Sequence, residues 1–277
     1  MFVLEPIFHK TIWGGNRLVD VYGEQAIGLG HLYSLRCRDG DSSIILNGVY
    51  KGIRLFDVIG EYPLSLAMVD AALDLSIQVH PGGDIAKYES YFFIEAPISG
   101  HIYGGINDMA SEKIRMAAED GSILSHVKRI MIKNSDYVII EPRTVHALTA
   151  GSFVYEIEQG DDNTYRLFDY NRKGPDGNQR DLQVEQAIDS LDMSVKVVPR
   201  RYETSKEITE KTYSTRLFSK LSVYSNDTPG IECLTLIAGN ATIDNVPIKA
   251  GMTVVIEPGE KIERLAIECC IAARLMI

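Results

Sequence analysis

Short runs rich in Val, Ile, Tyr and Phe recur along this chain, separated by Gly, Asn, Asp or Pro, and they restrict its fold more than any other feature. Examples are Ser42–Ile53 (SSIILNGVYKGI), Leu75–Gly83 (LSIQVHPGG), Ser90–Ala96 (SYFFIEA), Asp136–Pro142 (DYVIIEP) and Ser152–Gln159 (SFVYEIEQ). β-Branched and aromatic side chains suit a pleated, half-buried surface. Many short strands punctuated by turn residues predict an all-β sandwich or barrel. A βαβ alternation with a glycine-rich phosphate loop is absent, which argues against a Rossmann or P-loop enzyme.

One strand-and-turn phrase occurs twice. Aligned from Lys133 and Lys249, KNSDYVIIEP and KAGMTVVIEP share the lysine, a valine, an isoleucine and the Glu-Pro pair. The first copy then reaches His146, whereas the second has Ile262 at the same offset. The chain has 277 residues and is 45% hydrophobic, enough for one large core or two smaller ones. The repeat favours two domains. The charged stretch Arg200–Lys211 (RRYETSKEITEK) reads as a solvated connector, so the boundary is placed near residue 195, giving units 1–195 and 196–277. Two helices are predicted, an insertion near 107–128 and Asp181–Leu191, whose Val184, Ala187, Ile188 and Leu191 form one apolar stripe. Gly239-Asn240 is expected to turn a hairpin within Leu234–Ile243.

The net charge of -10 argues against nucleic acid as a partner, because binding a phosphate backbone needs a basic surface. Cys37, Cys233, Cys269 and Cys270 show no CxxC spacing and are expected to be reduced thiols. The start of the chain, MFVLEPIFHK, is not a basic leader followed by a long apolar run, and no stretch approaches the ~18 apolar residues of a membrane span. A cytoplasmic protein, a monomer or small homo-oligomer, is expected.

Gln78 and His80 lie two apart in a predicted strand, so both side chains point to one face. Directed inward they need partners, because an unpaired buried polar group costs about 1–3 kcal/mol. Glu89 follows past the turn Pro81–Gly83, and His146 comes from a distant strand end. A glutamine, two histidines and a carboxylate make a mixed N/O ligand set that suits Zn²⁺ and would also take Fe²⁺, Mn²⁺ or Co²⁺.

The segments IWGGNRL (Ile12–Leu18), LSIQVHP (Leu75–Pro81), KYE (Lys87–Glu89), TVHAL (Thr144–Leu148) and NTYRLFDYNR (Asn163–Arg172), in that order across most of the first 190 residues, resemble the short bacterial form of the type I phosphomannose isomerases. The resemblance implies a mainly β chain of two cupin-like (jelly-roll) barrels with a small helical insertion. It also implies a zinc ion and the reversible conversion of mannose 6-phosphate to fructose 6-phosphate. The family's metal ligands fall on Gln78, His80, Glu89 and His146, and its active-site cations on Lys87 and Arg166. Aldose–ketose isomerisation moves a proton between C1 and C2 through an enediol. A metal that polarises the sugar oxygens and a cation where negative charge develops both serve it. Lys87 is expected to take part in proton transfer or sugar binding, with a pKa depressed by the metal and by an arginine.

Three positions depart from the family pattern. Ala67 stands where the family has a lysine, Gly30-His31-Leu32-Tyr33 replaces a Gly-Glu-x-Trp element, and Arg143 replaces the glycine of the turn before the metal histidine. Arg143 either returns the lost positive charge to the pocket or is an exposed turn residue. His31 and His101 are expected to be satisfied or surface histidines. The departures leave two alternatives to a mannose 6-phosphate isomerase: a metal-binding cupin of altered sugar specificity, or a non-catalytic sugar-phosphate-binding regulator.

Overall fold

The structure, a computed structural model, describes residues 1–84 and 86–276. It is mainly β. One seven-stranded antiparallel sheet runs in the order Arg200–Arg201, Asp136–Ile140, Tyr88–Glu95, Phe153–Gln159, Leu64–Asp70, Leu29–Leu35, Ile7–Gly15. A five-stranded sheet runs Val127–Met131, His101–Ile106, His146–Ala147, Ile77–Val79, Tyr165–Phe168.

The alternation of side chains sorts the larger sheet between two cores. Ala67, Val69, Tyr91, Phe93 and Val154 join Ile77, Val79, Ile102 and Leu167 of the smaller sheet in one apolar cluster. Their sequence neighbours Leu66, Met68, Phe92, Tyr155 and Ile157 join Cys233, Val255 and Ile271 of the C-terminal part in another. A sheet covered on both faces loses the polar alternation of a half-solvated one, which is why Leu64–Asp70 is buried at every position.

The C-terminal sheet runs Phe2–Val3, Thr253–Ile256, Glu232–Ile243, Lys261–Leu275, Tyr213–Ser225, Glu207–Thr209, with Val246–Ile248 attached to Glu232–Ile243. Buried tyrosines tie it to the first sheet: the Tyr155 hydroxyl lies 2.8 Å from Thr235 Oγ1, and Tyr213 donates to Ser90 Oγ at 2.8 Å. Arg200–Lys211 crosses between the two sheets, its first two residues pairing with Asp136–Tyr137 and Glu207–Thr209 with Ser214–Arg216.

The repeated phrase has one backbone form in both copies. Lys133 and Lys249 each accept a backbone bond from the third residue on, and Arg143 (φ 70°) and Gly259 (φ 79°) occupy the same left-handed turn position. Glycine adopts this conformation freely, whereas a residue with a Cβ is strained in it.

Three local expectations are corrected. Ser42–Ile53 is mostly isolated bridges and a short 3-10 turn at Gly48–Tyr50, because its polar and glycine residues close tight turns instead of a ladder. The predicted hairpin turn at Gly239-Asn240 lies instead at Asp244 and Asn245, both at positive φ; Gly239 (φ 102°) forms a bulge within the continuous strand Glu232–Ile243. The helical insertion is shorter than 107–128, comprising an α-helix at Ser111–Asp120 and a 3-10 turn at Ser122–Ser125. The second predicted helix is present as Val184–Ser190. Among the described residues no helix is long and apolar enough to cross a membrane.

Candidate active site

A cavity of about 600 Å³ opens between the first seven-stranded sheet and the five-stranded sheet, lined among others by Gln78, Lys87, Glu89, Glu156, Glu158 and Arg166. Strand register explains the convergence. Gln78 pairs with His146 on one side and with Arg166 on the other, so these three side chains share a face. On the larger sheet Glu89 pairs with Glu158, and Glu156 with both Tyr91 and Ala67.

His80, Glu89 and His146 are buried with their donor atoms within 4.8 Å of one another. His80 Nε2 lies 3.0 Å from Glu89 Oε1, and His146 Nε2 lies 3.3 Å from Glu89 Oε2 and 3.4 Å from Gln78 Nε2. The other nitrogen of each ring fixes its tautomer. His80 Nδ1 donates to the Asn163 carbonyl and His146 Nδ1 to the Thr144 carbonyl, each at 2.9 Å. A carbonyl can only accept, so each neutral imidazole turns its Nε2 lone pair toward Glu89. His80 Nε2 accordingly has no hydrogen-bond partner despite its 3.0 Å approach to the carboxylate. Lone pairs of nitrogen and oxygen converge on one buried point, an arrangement that a cation resolves. Ser76 Oγ donates to Gln78 Oε1 at 3.1 Å; turning this amide over would present its oxygen beside His146. The residues therefore fit a zinc ion with a mixed N/O ligand set.

Lys87 is buried and bonds Glu89 Oε1 at 2.8 Å and Glu158 Oε1 at 2.5 Å. Burial pulls its pKa down, but Glu158, Glu89 and Glu156 outweigh burial and hold it well above the ordinary lysine value. In the metal-free protein three carboxylates surround the ammonium. Burial likewise works against the Glu89 carboxylate, yet its neighbours His80, Lys87 and His146 hold it well below the usual range. Glu156 is the opposite case. Burial, then Glu158 and Glu89, push it well above 4.5, and its Oε2 has no partner among the described residues.

The Glu156 shift makes a prediction for the metal-free protein. A carboxyl whose pKa is higher folded than unfolded stabilises the fold below its unfolded pKa, and that stability is lost as pH rises through the folded value. The stability of the metal-free protein should therefore fall above pH 4.5 as Glu156 is forced to ionise. Glu156→Gln should flatten this fall and raise the melting temperature at neutral pH, read from thermal unfolding between about pH 5 and 8.

Arg166 reaches the cavity from the opposite side. Its Nε has no partner among the described residues, and burial together with Arg180 lowers its pKa. Its strand is braced by Asp169, which pairs with Arg172 and lies 3.1 Å from Arg180. Elsewhere on the larger sheet, the Arg17 side chain and backbone grip Asp70, and Gly15 is required because a Cβ there would meet the Asp70 carboxylate.

Of the six residues singled out in the sequence, Gln78, Lys87, Glu89 and Arg166 line this cavity, and His80 and His146 adjoin it through Glu89. Arg143 does not. Its guanidinium turns away to the Ser190 carbonyl (3.0 Å) and toward Asp192, while its backbone N–H holds the His80 carbonyl at 2.7 Å. It returns no charge to the site and serves as a turn residue that braces a candidate ligand. His101 Nδ1 lies 3.2 Å from the Ser99 carbonyl, while its Nε2 is buried without a partner among the described residues. His31 is not ordinary, because it lines the cavity with Nδ1 unpartnered among the described residues. Glu156, Glu158 and Arg36 also line the cavity and were not anticipated. The alternation in SFVYEIEQ, with Glu156 and Glu158 two apart like Gln78 and His80, was the available signal.

No protein-family model matches the chain. A mannose-6-phosphate isomerase of Streptococcus mutans is 31% identical over 214 residues, 68% of this chain and 68% of that protein. The crystal structure of the mannose 6-phosphate isomerase from Bacillus subtilis superposes with a TM-score of 0.81 at 23% identity, covering 99% of both chains. A zinc-bound mannose 6-phosphate isomerase superposes with a TM-score of 0.66 at 11% identity, over 100% of this chain and 99% of that one. The shared fold, the extent of the sequence match and the gathering of the candidate ligands around Glu89 lead to one conclusion: the chain belongs to the mannose-6-phosphate isomerases and is an isomerase.

Proposed function

We propose that this isomerase interconverts mannose 6-phosphate and fructose 6-phosphate through an enediol and depends on zinc held by Gln78, His80, Glu89 and His146. The observation that carries the metal is the pair of Nε2 lone pairs turned onto Glu89 by Nδ1 bonds to carbonyls. Zinc bound there would polarise the sugar oxygens at C1 and C2. The cavity, set in the first of two cupin-like barrels spanning 1–195 and 196–277, accommodates a sugar phosphate.

The chain's own residues divide the remaining work. Lys87, held charged between Glu89 and Glu158, is an acid and hydrogen-bond donor, suited to the oxygen on which negative charge develops. Arg166 presents donors with no protein acceptor at Nε. With Arg180 behind it raising the local positive potential, it is suited to the substrate phosphate.

The deciding experiment is a coupled assay for fructose 6-phosphate formation with and without a chelator, alongside metal analysis. Chelator-sensitive turnover with about one zinc per chain is expected. Bound zinc and ligand without turnover would instead favour a binding protein, and turnover of another aldose phosphate a changed specificity. Arg166→Ala should lower kcat/KM by about 100-fold, mainly through KM, and abolish competition by inorganic phosphate. A loss confined to kcat would move Arg166 from the phosphate to the enediolate.

A further inference from the structure

One wall of the cavity is used by neither the metal group nor the phosphate anchor. His9, His31 and Tyr33 project from neighbouring strands as a stack of rings. The His31 and Tyr33 centroids are 5.3 Å apart with the planes 3° from parallel, and those of His9 and His31 are 5.8 Å apart at 21°. Trp13 packs edge-on against His31 at 5.2 Å. The imidazole is thus fixed in orientation, with Nδ1 unpartnered and Nε2 3.7 Å from Glu156 Oε2, itself unpartnered among the described residues. That separation is too long for a hydrogen bond. It does allow a single hydroxyl oxygen to sit about 2.8 Å from both atoms.

Ala67 keeps this corner open. It is paired with Tyr33 on one side and Glu156 on the other, and its methyl leaves both polar groups facing the cavity. His31 and Ala67 are two of the positions at which the sequence departs from the pattern it resembles. We propose that His31 and Glu156 together bind a sugar hydroxyl remote from C1 and C2, and so set which sugar phosphate this chain accepts. The inference rests on the isomerase function proposed above. Burial, with His9 and Lys87, pushes the His31 imidazole down to about 3, so the ring is neutral and its Nε2 either donates to or accepts from a hydroxyl, according to tautomer.

The test compares mannose 6-phosphate with its 3-deoxy and 4-deoxy analogues, by kcat/KM and by calorimetric Kd on the zinc-loaded protein. The unsubstituted protein should prefer the parent over one analogue by about 30-fold or more, because a site built around a hydroxyl rejects the compound lacking it. His31→Phe keeps a ring in the stack but removes both nitrogens, and should reduce that preference to within about threefold through weaker binding of the parent. His31→Gln, which retains a donor and an acceptor, should restore part of it. Should His31→Phe fail to fold, Ala67→Lys, which sets an ammonium beside Glu156, should erase the preference in the same way. An unchanged preference in these variants, or none in the unsubstituted protein, overturns the proposal. Failure of the isomerase assignment looks different: the unsubstituted protein would turn over no phosphosugar, while the Kd ratios would still decide the role of His31.

Discussion

Glu89→Gln is expected to lower turnover by more than about 10³-fold and to yield protein with far less than one equivalent of zinc. Glu89 is the single anionic member of the candidate ligand set. Its two oxygens face both histidine Nε2 atoms, at 3.0 and 3.3 Å, while accepting from Tyr91 at 2.7 Å and from Lys87 at 2.8 Å. The amide keeps the shape, removes the charge and turns an NH₂ toward lone pairs that cannot receive a metal and a proton together. Metal affinity should fail first, so zinc content by mass spectrometry and the rise in melting temperature on adding zinc should both collapse. Glu158→Gln is the control. It removes the other carboxylate on Lys87 but none of the convergent lone pairs, and should keep its zinc. Full zinc occupancy in Glu89→Gln would show that the ligand set is misassigned.

What the sequence made legible is unequal across the chain, for physical reasons. Strands with one role were easy to read: Gln78 lies in the strand Ile77–Val79, and His80 follows directly on its end and reaches the same Glu89. The doubled Glu-Pro phrase correctly marked two copies of one strand and turn, and Ile262 in the second copy is buried in the core where the first has a candidate ligand. Sequence spacing was weakest where long-range register decides. Lys87 bonds the candidate ligand Glu89, but Glu158 and Glu156 beside it were not foreseen, because they are brought there by the pairing of Tyr88–Glu95 with Phe153–Gln159. His31 looked unremarkable because nothing local distinguishes a solvent-facing histidine from one stacked between His9 and Tyr33 over a cavity. Gly239 shows the converse error. A glycine beside asparagine reads as a turn, but here the positive φ is spent on a bulge and the chain turns five residues later.

Lys87→Met separates catalysis from metal binding, and its effects on stability follow from the same charges. The ammonium is the one cation in bonding contact with Glu89 Oε1 and Glu158 Oε1 among the described residues. Loss of its hydrogen bond to the developing oxyanion should lower kcat by about 10²–10³-fold, with zinc content near that of the unsubstituted protein because no convergent lone pair is removed. The metal-free variant should also be less stable by about 3–5 kcal/mol, the scale of leaving buried charges without their partner. The pH dependence then has a definite sign. Without the ammonium the pKa values of Glu89 and Glu156 rise in the folded state. The fold gains stability where these carboxyls are protonated and loses it as pH climbs through their raised values. The metal-free variant should therefore melt higher near pH 5 than near pH 8, and zinc should remove much of that difference by supplying the missing positive charge. Thermal unfolding with and without zinc at the two pH values, beside steady-state kinetics, reads all of these effects. Full turnover by Lys87→Met would remove the lysine from the chemistry. An unchanged melting profile would mean that the three carboxylates are satisfied by something other than its charge.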